Sequence, residues 1–236
     1  MNAARQIYDR LWCEAIPRFE QGRPQTDSYL NDRANDDRRG VTLAFRPRPA
    51  VQTAADHFLR QLAAVAPSQY FYRPNELHVT VLAIIPGSSA WREKVRDLAA
   101  IHAVISQVLK RHRPFEVAFH GVTASPGAVM IQGFPKDKTL MKIRNDLRKI
   151  LRDNRLGGDL DRRYKISTAH ITAMRFAHAR ADWRAFVDLL KKNRQTHFGE
   201  TLVTKLQLLW GDWYASAQSV RTIQEYPLED GSRAPA

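Results

Sequence analysis

One cysteine, Cys13, stands alone among 236 residues, so an intramolecular disulfide is excluded, as is the cysteine spacing of a structural zinc site. Long apolar runs are missing too. No stretch approaches the roughly 20 residues that a bilayer-spanning helix needs, and Met1-Asn2-Ala3-Ala4-Arg5 does not lead into a signal-peptide core. No glycine-rich phosphate cradle is present: Gly157-Gly158 follows a helical pattern as a stop signal would, without the lysine of a P-loop. Acidic residues are in deficit, with 24 Asp and Glu against 37 Lys and Arg for a formal net charge of +13. These features point to a soluble cytoplasmic protein with no metal and no cofactor, whose charge favours polyanionic partners. With 44% hydrophobic residues the chain can bury a sizeable core, as one domain or two small lobes.

Against that background one short phrase occurs twice. His78-Val79-Thr80 lies in the apolar run Leu77 to Ile85, and His170-Ile171-Thr172 lies in Ala169 to Phe176. In a strand, residues two apart share a face, so each phrase presents an imidazole and a hydroxyl together while Val79 or Ile171 packs behind. A single histidine in a strand is usually a structural residue. Two copies, in equivalent runs and both with Thr, argue for a function. None of His57, His102, His112, His120, His178 and His197 is followed two residues later by threonine. Paired imidazoles that exchange roles as proton donor and acceptor, beside hydroxyls that hold phosphate oxygens, suit metal-free phosphodiester chemistry.

With these four residues the chain resembles the two-histidine (2H) phosphoesterase superfamily, whose signature is a pair of His-x-Ser/Thr motifs on central strands. The resemblance implies an α+β, bilobal fold: two pseudo-symmetric antiparallel sheets facing a central cleft, with helices outside. It implies a metal-independent phosphodiesterase that hydrolyses a 2′,3′-cyclic phosphate on nucleotides or RNA ends, with His78, Thr80, His170 and Thr172 as catalytic residues. Phosphodiesterases for 2′-5′-linked oligonucleotides or cyclic dinucleotides use the same machinery, and a nucleotide- or RNA-binding protein without turnover is the alternative from another class. Which histidine is the acid is not legible in the sequence.

Along the chain, residues 3 to 20 read as an amphipathic helix carrying Ile7, Leu11 and Phe19, which docks on the outside of a lobe or on a second copy of the chain. Asn31 to Gly40 reads as a polar connector. Residues 40–228 form the bilobal domain, in halves of about 40–124 and 125–228, and 229–236 a tail. Each half repeats the order strand, helix, motif strand, helix, strand: Val41 to Arg46, Val51 to Ala66, Leu77 to Ile85, Trp91 to Arg111 and Phe115 to Thr123, then Ala128 to Phe134, Lys136 to Asn154, Thr168 to Phe176 and Asp182 to Asn193. Two long strands, Thr201 to Trp210 and Ala215 to Tyr226, end the domain. If the motif residues face the cleft, Val79, Val81, Ile171 and Ala173 face the helices.

Four further residues are candidates for substrate binding. Tyr72, before the first motif, offers a ring to a nucleobase. Arg46 and Gln132, near the ends of otherwise apolar strands, offer polar groups to phosphate or base, and strand-end solvation explains them equally. Trp213, between the last two strands, caps the core or forms a gate. The basic run Lys136 to Arg155 carries Leu140, Ile143, Leu147 and Ile150 at helical spacing, which describes a solvated helix face before it describes a nucleic-acid groove.

Overall fold

The computed structural model describes residues 3–162, 164–180 and 182–229. The proposed tail from 230 onward lies outside them. In chain order the elements are α1 (Ala3–Glu20), β1 (Arg39–Phe45), α2 (Pro49–Val65), β2 (Tyr70–Phe71), β3 (Val79–Ser88), α3 (Trp91–Lys94), α4 (Leu98–Leu109), β4 (Phe115–Ser125), β5 (Ala128–Pro135), α5 (Thr139–Asp153), β6 (Ile171–Arg175), α6 (Arg184–Lys192), β7 (His197–Val203), β8 (Lys205–Asp212) and β9 (Arg221–Pro227). The helix expected over Trp91 to Arg111 is interrupted by a 3-10 turn at Val95–Asp97. Pro49 opens α2 at a position where its missing N–H costs nothing.

All pairings are antiparallel, and the strand order is β7-β4-β5-β6-β3-β1-β8-β9, with β2 added on β6. The fold is α+β and bilobal in the sense expected, and the two lobes' sheets are continuous. They meet at one pair, Val79 against Ile171, the residues that follow His78 and His170. An antiparallel register through that pair sets His78 opposite Thr172 and Thr80 opposite His170, all on one face. The other face is packed: Val79, Val81, Ile171 and Ala173 are fully buried.

The lobes do not follow the halves read from the sequence. Strand β4, assigned to the first half, pairs with β5 and β7 in the second lobe. The boundary drawn at 124/125 falls in a tight β4–β5 hairpin, where Ser125 pairs with Ala128 across Pro126-Gly127. Conversely β8 and β9, late in the chain, complete the first lobe beside β1. The single strand expected over Thr201 to Trp210 is two strands broken at Thr204, and they lie towards opposite ends of the sheet. One residue can join them only because the sheet curls into a half-barrel that brings those ends together. The rings of Phe45 on β1 and Phe115 on β4, 6.0 Å apart and edge to face, pack across the curl.

The amino-terminal segment is built into this body. Helix α1 packs on β4 and α6 and buries Tyr8, Ala15, Ile16 and Phe19, while Ile7 and Leu11 of the expected stripe are only half-buried. The polar connector is not a solvated tether. It follows a 3-10 turn at Ser28–Leu30 and forms another at Arg33–Asn35, and the carboxylate of Asp36 is buried against Arg38 at 2.8 Å. Among the described residues no helix is long and apolar enough to cross a membrane.

Candidate active site

Each motif histidine sits one residue before its strand, on a turn that grips the ring from behind. Nδ1 of His78 donates to the carbonyl oxygen of Glu76 at 2.8 Å. A carbonyl only accepts, so Nδ1 carries the proton and Nε2 is the free position. The turn itself is held by the buried Glu76 carboxylate, which accepts from the N–H groups of Arg73 and Ala217, each at 2.9 Å. On the other strand, Nδ1 of His170 meets the Thr168 hydroxyl at 2.8 Å.

His78, Thr80, His170 and Thr172 line one cavity of about 160 Å³. Tyr72 and Trp213 line it as well. The Trp213 ring lies on Gly87, where a Cβ would come within 2.7 Å of it; glycine is what lets the ring close this wall. Arg46 is not in the wall. Its guanidinium bonds the Asn75 carbonyl behind His78 and acts on that ring by charge alone. Gln132 is not at the site at all: it is fully buried, accepting from Arg5 at 3.2 Å and donating to the Val122 carbonyl at 2.7 Å. The expectation for Gln132 fails because α1 covers the β5 face on which it lies, so a polar strand residue there is satisfied inside the protein.

A residue that strand alternation passes over is Arg175, five after His170, which lines the cavity with its Nε donating to Tyr72 Oη at 2.9 Å. By simple alternation it belongs on the helix side. A bulge prevents that: Met130 pairs with Thr172 and Val129 with Met174, so Ala173 is an extra residue and the parity of β6 flips after it. The first motif strand is bulged at the same place, where Ala44 pairs with Thr80 and Leu43 with Leu82, leaving Val81 extra and turning Ala83 into the cavity. Arg162 and Tyr164 also line the cavity, from a loop pinned by Asp161 to Arg148 at 2.9 Å and to Arg152 at 3.0 Å.

The electrostatics are strongly positive. Burial, then the charges of Arg144 and Arg175 and the neighbouring His78, pull the His170 imidazole down to about 4. Burial together with Arg46 and Arg175 also holds His78 below the usual histidine value, opposed by the Glu76 carbonyl that its Nδ1–H faces. Arg144, buried on α5, donates to the carbonyls of Thr80, Val81 and Thr168 at 2.8 Å each and so ties the two motif strands together from behind. Among the described residues no cluster of three His, Cys, Asp or Glu is placed to hold a metal ion.

A family model described as the 2′-5′ RNA ligase superfamily matches residues 41–213. The chain belongs to that superfamily. Solved structures with the same fold include TT0787 of Thermus thermophilus, at 16% identity and a TM-score of 0.58, covering 80% of this chain and 97% of that one. They also include E. coli LigT complexed with NADP+, at 16% identity and a TM-score of 0.53, covering 82% of this chain and 99% of that one. LigT complexed with 3′-AMP aligns at 14% identity and a TM-score of 0.54, again over 82% and 99%. A search of curated proteins finds no match. As a superfamily member the chain has its two histidine motifs inside the matched region, whereas α1 and the turns that follow it lie before that region.

Proposed function

We propose that this protein is a phosphodiesterase that opens a 2′,3′-cyclic phosphate on a nucleotide or RNA end by two-histidine acid–base catalysis. The observation that carries the reading is the pairing of two back-held imidazoles with the half-buried Arg175 around one small cavity. A phosphodiester anion brought there meets Arg175 and the hydroxyls of Thr80 and Thr172, groups suited to its non-bridging oxygens.

The surroundings of the two rings separate their roles. His170 faces Arg144 and Arg175 and is the ring held neutral, so it serves as the base: its Nε2 takes a proton from water as the water oxygen bonds to phosphorus. His78, whose Nδ1–H rests on a peptide carbonyl in either charge state, is the better site for the imidazolium and serves as the acid. It gives its Nε2 proton to the ribose oxygen as the P–O bond breaks, leaving a phosphomonoester beside a free hydroxyl. The proton then passes through solvent from His170 back to His78, and the site is reset.

The fold neighbour LigT has been crystallised with 3′-AMP and with NADP+, which supports a nucleotide as the ligand class. A second reading, a 2′-5′-linked oligonucleotide as substrate, is favoured by more than one aromatic ring in the cavity wall, Trp213 and Tyr164 beside Tyr72, where a mononucleotide has one base to stack. The test is to incubate purified protein, with and without EDTA, with 2′,3′-cyclic mononucleotides, 2′-5′ oligoadenylates, cyclic dinucleotides and cyclic-phosphate-ended RNA, and to record product regiochemistry. Conversion of the cyclic mononucleotides in EDTA is the expected result. Hydrolysis of none of the panel, with nucleotide binding retained, would make the protein a binder instead.

A further inference from the structure

We propose that Arg38, in the segment that precedes the matched superfamily region, is a positioning residue that fixes Trp213 as the wall for the nucleoside half of the substrate. Trp213 lines the cavity, with its indole set against Gly87. The Arg38 guanidinium meets the same indole, its central carbon 5.2 Å from the ring centre, and stands 4.3 Å from the centre of the Tyr29 ring. Arg38 does not line the cavity itself, so it acts on a ligand only through the ring.

A guanidinium can hold a ring only if it is itself held. Arg38 Nε and Nη2 donate to the two carboxylate oxygens of Asp36, each at 2.8 Å, and Nη2 donates also to Tyr214 Oη at 3.0 Å. Such a fork fixes the plane of the group as well as its place, which a lysine ammonium cannot do. Tyr214, buried next in the chain to Trp213, passes its own proton to Asp27 at 2.8 Å. Asp27 is tied to the second lobe, where its N–H donates to the carbonyl of Phe176 at 2.9 Å, directly after Arg175. Asn31 adds a bond to the Ala177 carbonyl at 3.1 Å, and Arg33 pairs with Asp212 of the first lobe at 2.8 Å. The segment thus spans both lobes and sets Arg38 against Trp213 from each of them. Arg175 lies 5.8 Å from the centre of the same indole, so Trp213 borders the guanidinium offered to phosphate. A nucleotide whose phosphate meets Arg175 has its base beside that indole, where stacking is open to every base.

The inference rests on the reading of the cavity as a nucleotide site, and the experiment keeps the two apart by measuring binding and turnover separately. In full-length protein labelled with nitrogen-15, the indole N–H signal of Trp213 is assigned by its loss in Trp213→Ala. Calorimetry then gives affinities for adenosine 3′-monophosphate and for ribose 3-phosphate, which lacks the base. Arg38→Met should shift the Trp213 signal and weaken nucleotide binding about fivefold, with ribose 3-phosphate changed less than about twofold. On whichever cyclic nucleotide is turned over, KM should rise by the same factor of about five while kcat stays within about twofold. Added to Trp213→Ala, Arg38→Met should cost less than about twofold, because its effect passes through the ring. A folded Arg38→Met protein with the wild-type Trp213 signal, equal losses for the two ligands, or an undiminished loss on top of Trp213→Ala overturns the proposal. If Arg38→Met does not fold, Arg38→Lys, which keeps a charge beside Asp36 without the planar fork, is read by the same criteria. Nucleotide binding without turnover refutes the hydrolysis and keeps the base wall; turnover with affinity unchanged by Arg38→Met does the reverse. A wild type that binds neither ligand overturns both.

Discussion

The two motif strands match in most of what they carry and differ at one position. Each has His, an inward-packed aliphatic, Thr, then a bulge that returns the third residue after the threonine to the cavity. On β6 that residue is Arg175; on β3 it is Ala83. Each histidine also has an arginine of its own, Arg46 for His78 and Arg144 for His170, and both feel Arg175. The difference teaches how a near-symmetric pair of imidazoles can be given unequal work. A single guanidinium placed on one strand breaks the symmetry of the anion site, and unequal holds on Nδ1 break the symmetry of the rings.

Removing either ring is the most drastic way to break the pair. His78→Ala and His170→Ala should each lower turnover of a cyclic mononucleotide by at least about a hundredfold in steady-state assays. The residual rates should differ in kind: the His170 variant loses the acid limb of its pH profile and the His78 variant the alkaline limb. Near-wild-type rates in either folded variant would refute the two-histidine mechanism. Next in size is the arginine that the strands do not share. Arg175→Gln should reduce kcat/KM by about ten- to a hundredfold, the scale of a lost charge-assisted contact to phosphate. Because Arg175 depresses both imidazoles, its loss should also move both pH limbs to higher pH. Ala83→Arg on that background tests the equivalence of the two positions, and partial recovery of kcat/KM is expected.

The pH profile itself sharpens the comparison. In the proposed mechanism His170 is neutral and His78 protonated, so kcat/KM, which reports the free protein, should rise as His170 deprotonates near 4 and fall as His78 loses its proton below the ordinary value of 6.5. The optimum should therefore be clearly acidic. The profile of kcat should lie at higher pH, since a bound phosphate anion favours both imidazolium forms. A smaller displacement is expected from Arg46→Ala, which should raise only the alkaline limb because Arg46 acts on His78 and not on His170. Smallest of all in catalysis is Gln132→Ala: KM and kcat should stay unchanged while the thermal midpoint drops by a few degrees, since the Val122 carbonyl and Arg5 lose a partner.

Where periodicity was intact the sequence was a good guide. Helix α1 spans Ala3–Glu20, within one turn of any boundary set by its apolar spacing, and the inward burial of Val79, Val81, Ile171 and Ala173 follows from alternation. Arg175 escaped because a bulge is a count of two residues against one on a partner strand, and no single strand carries that count. The lobes escaped for a related reason. Repetition of element types along the chain resembles two consecutive halves, but which strand pairs with which is decided by non-local burial, so β4 could be assigned to the wrong lobe and Thr204 passed over as the middle of a strand. Gln132 needed the docking site of α1. Asp36 and Arg38 show that a polar segment can be ordered by its own ion pairs, here with Tyr214 at 3.0 Å as a further acceptor for Arg38.

The crossing at Thr204 reaches beyond geometry into how the protein is made. Strand β1 is synthesised well before β8, one of its two neighbours, and β4 likewise waits for β7. Neither lobe can close until those later strands have emerged. The nascent protein must hold long apolar strands unpaired until then, and both lobes should form in one cooperative step dominated by contacts distant in sequence. Fragments cut at the 124/125 hairpin should accordingly be aggregation-prone apart and complement one another only when mixed.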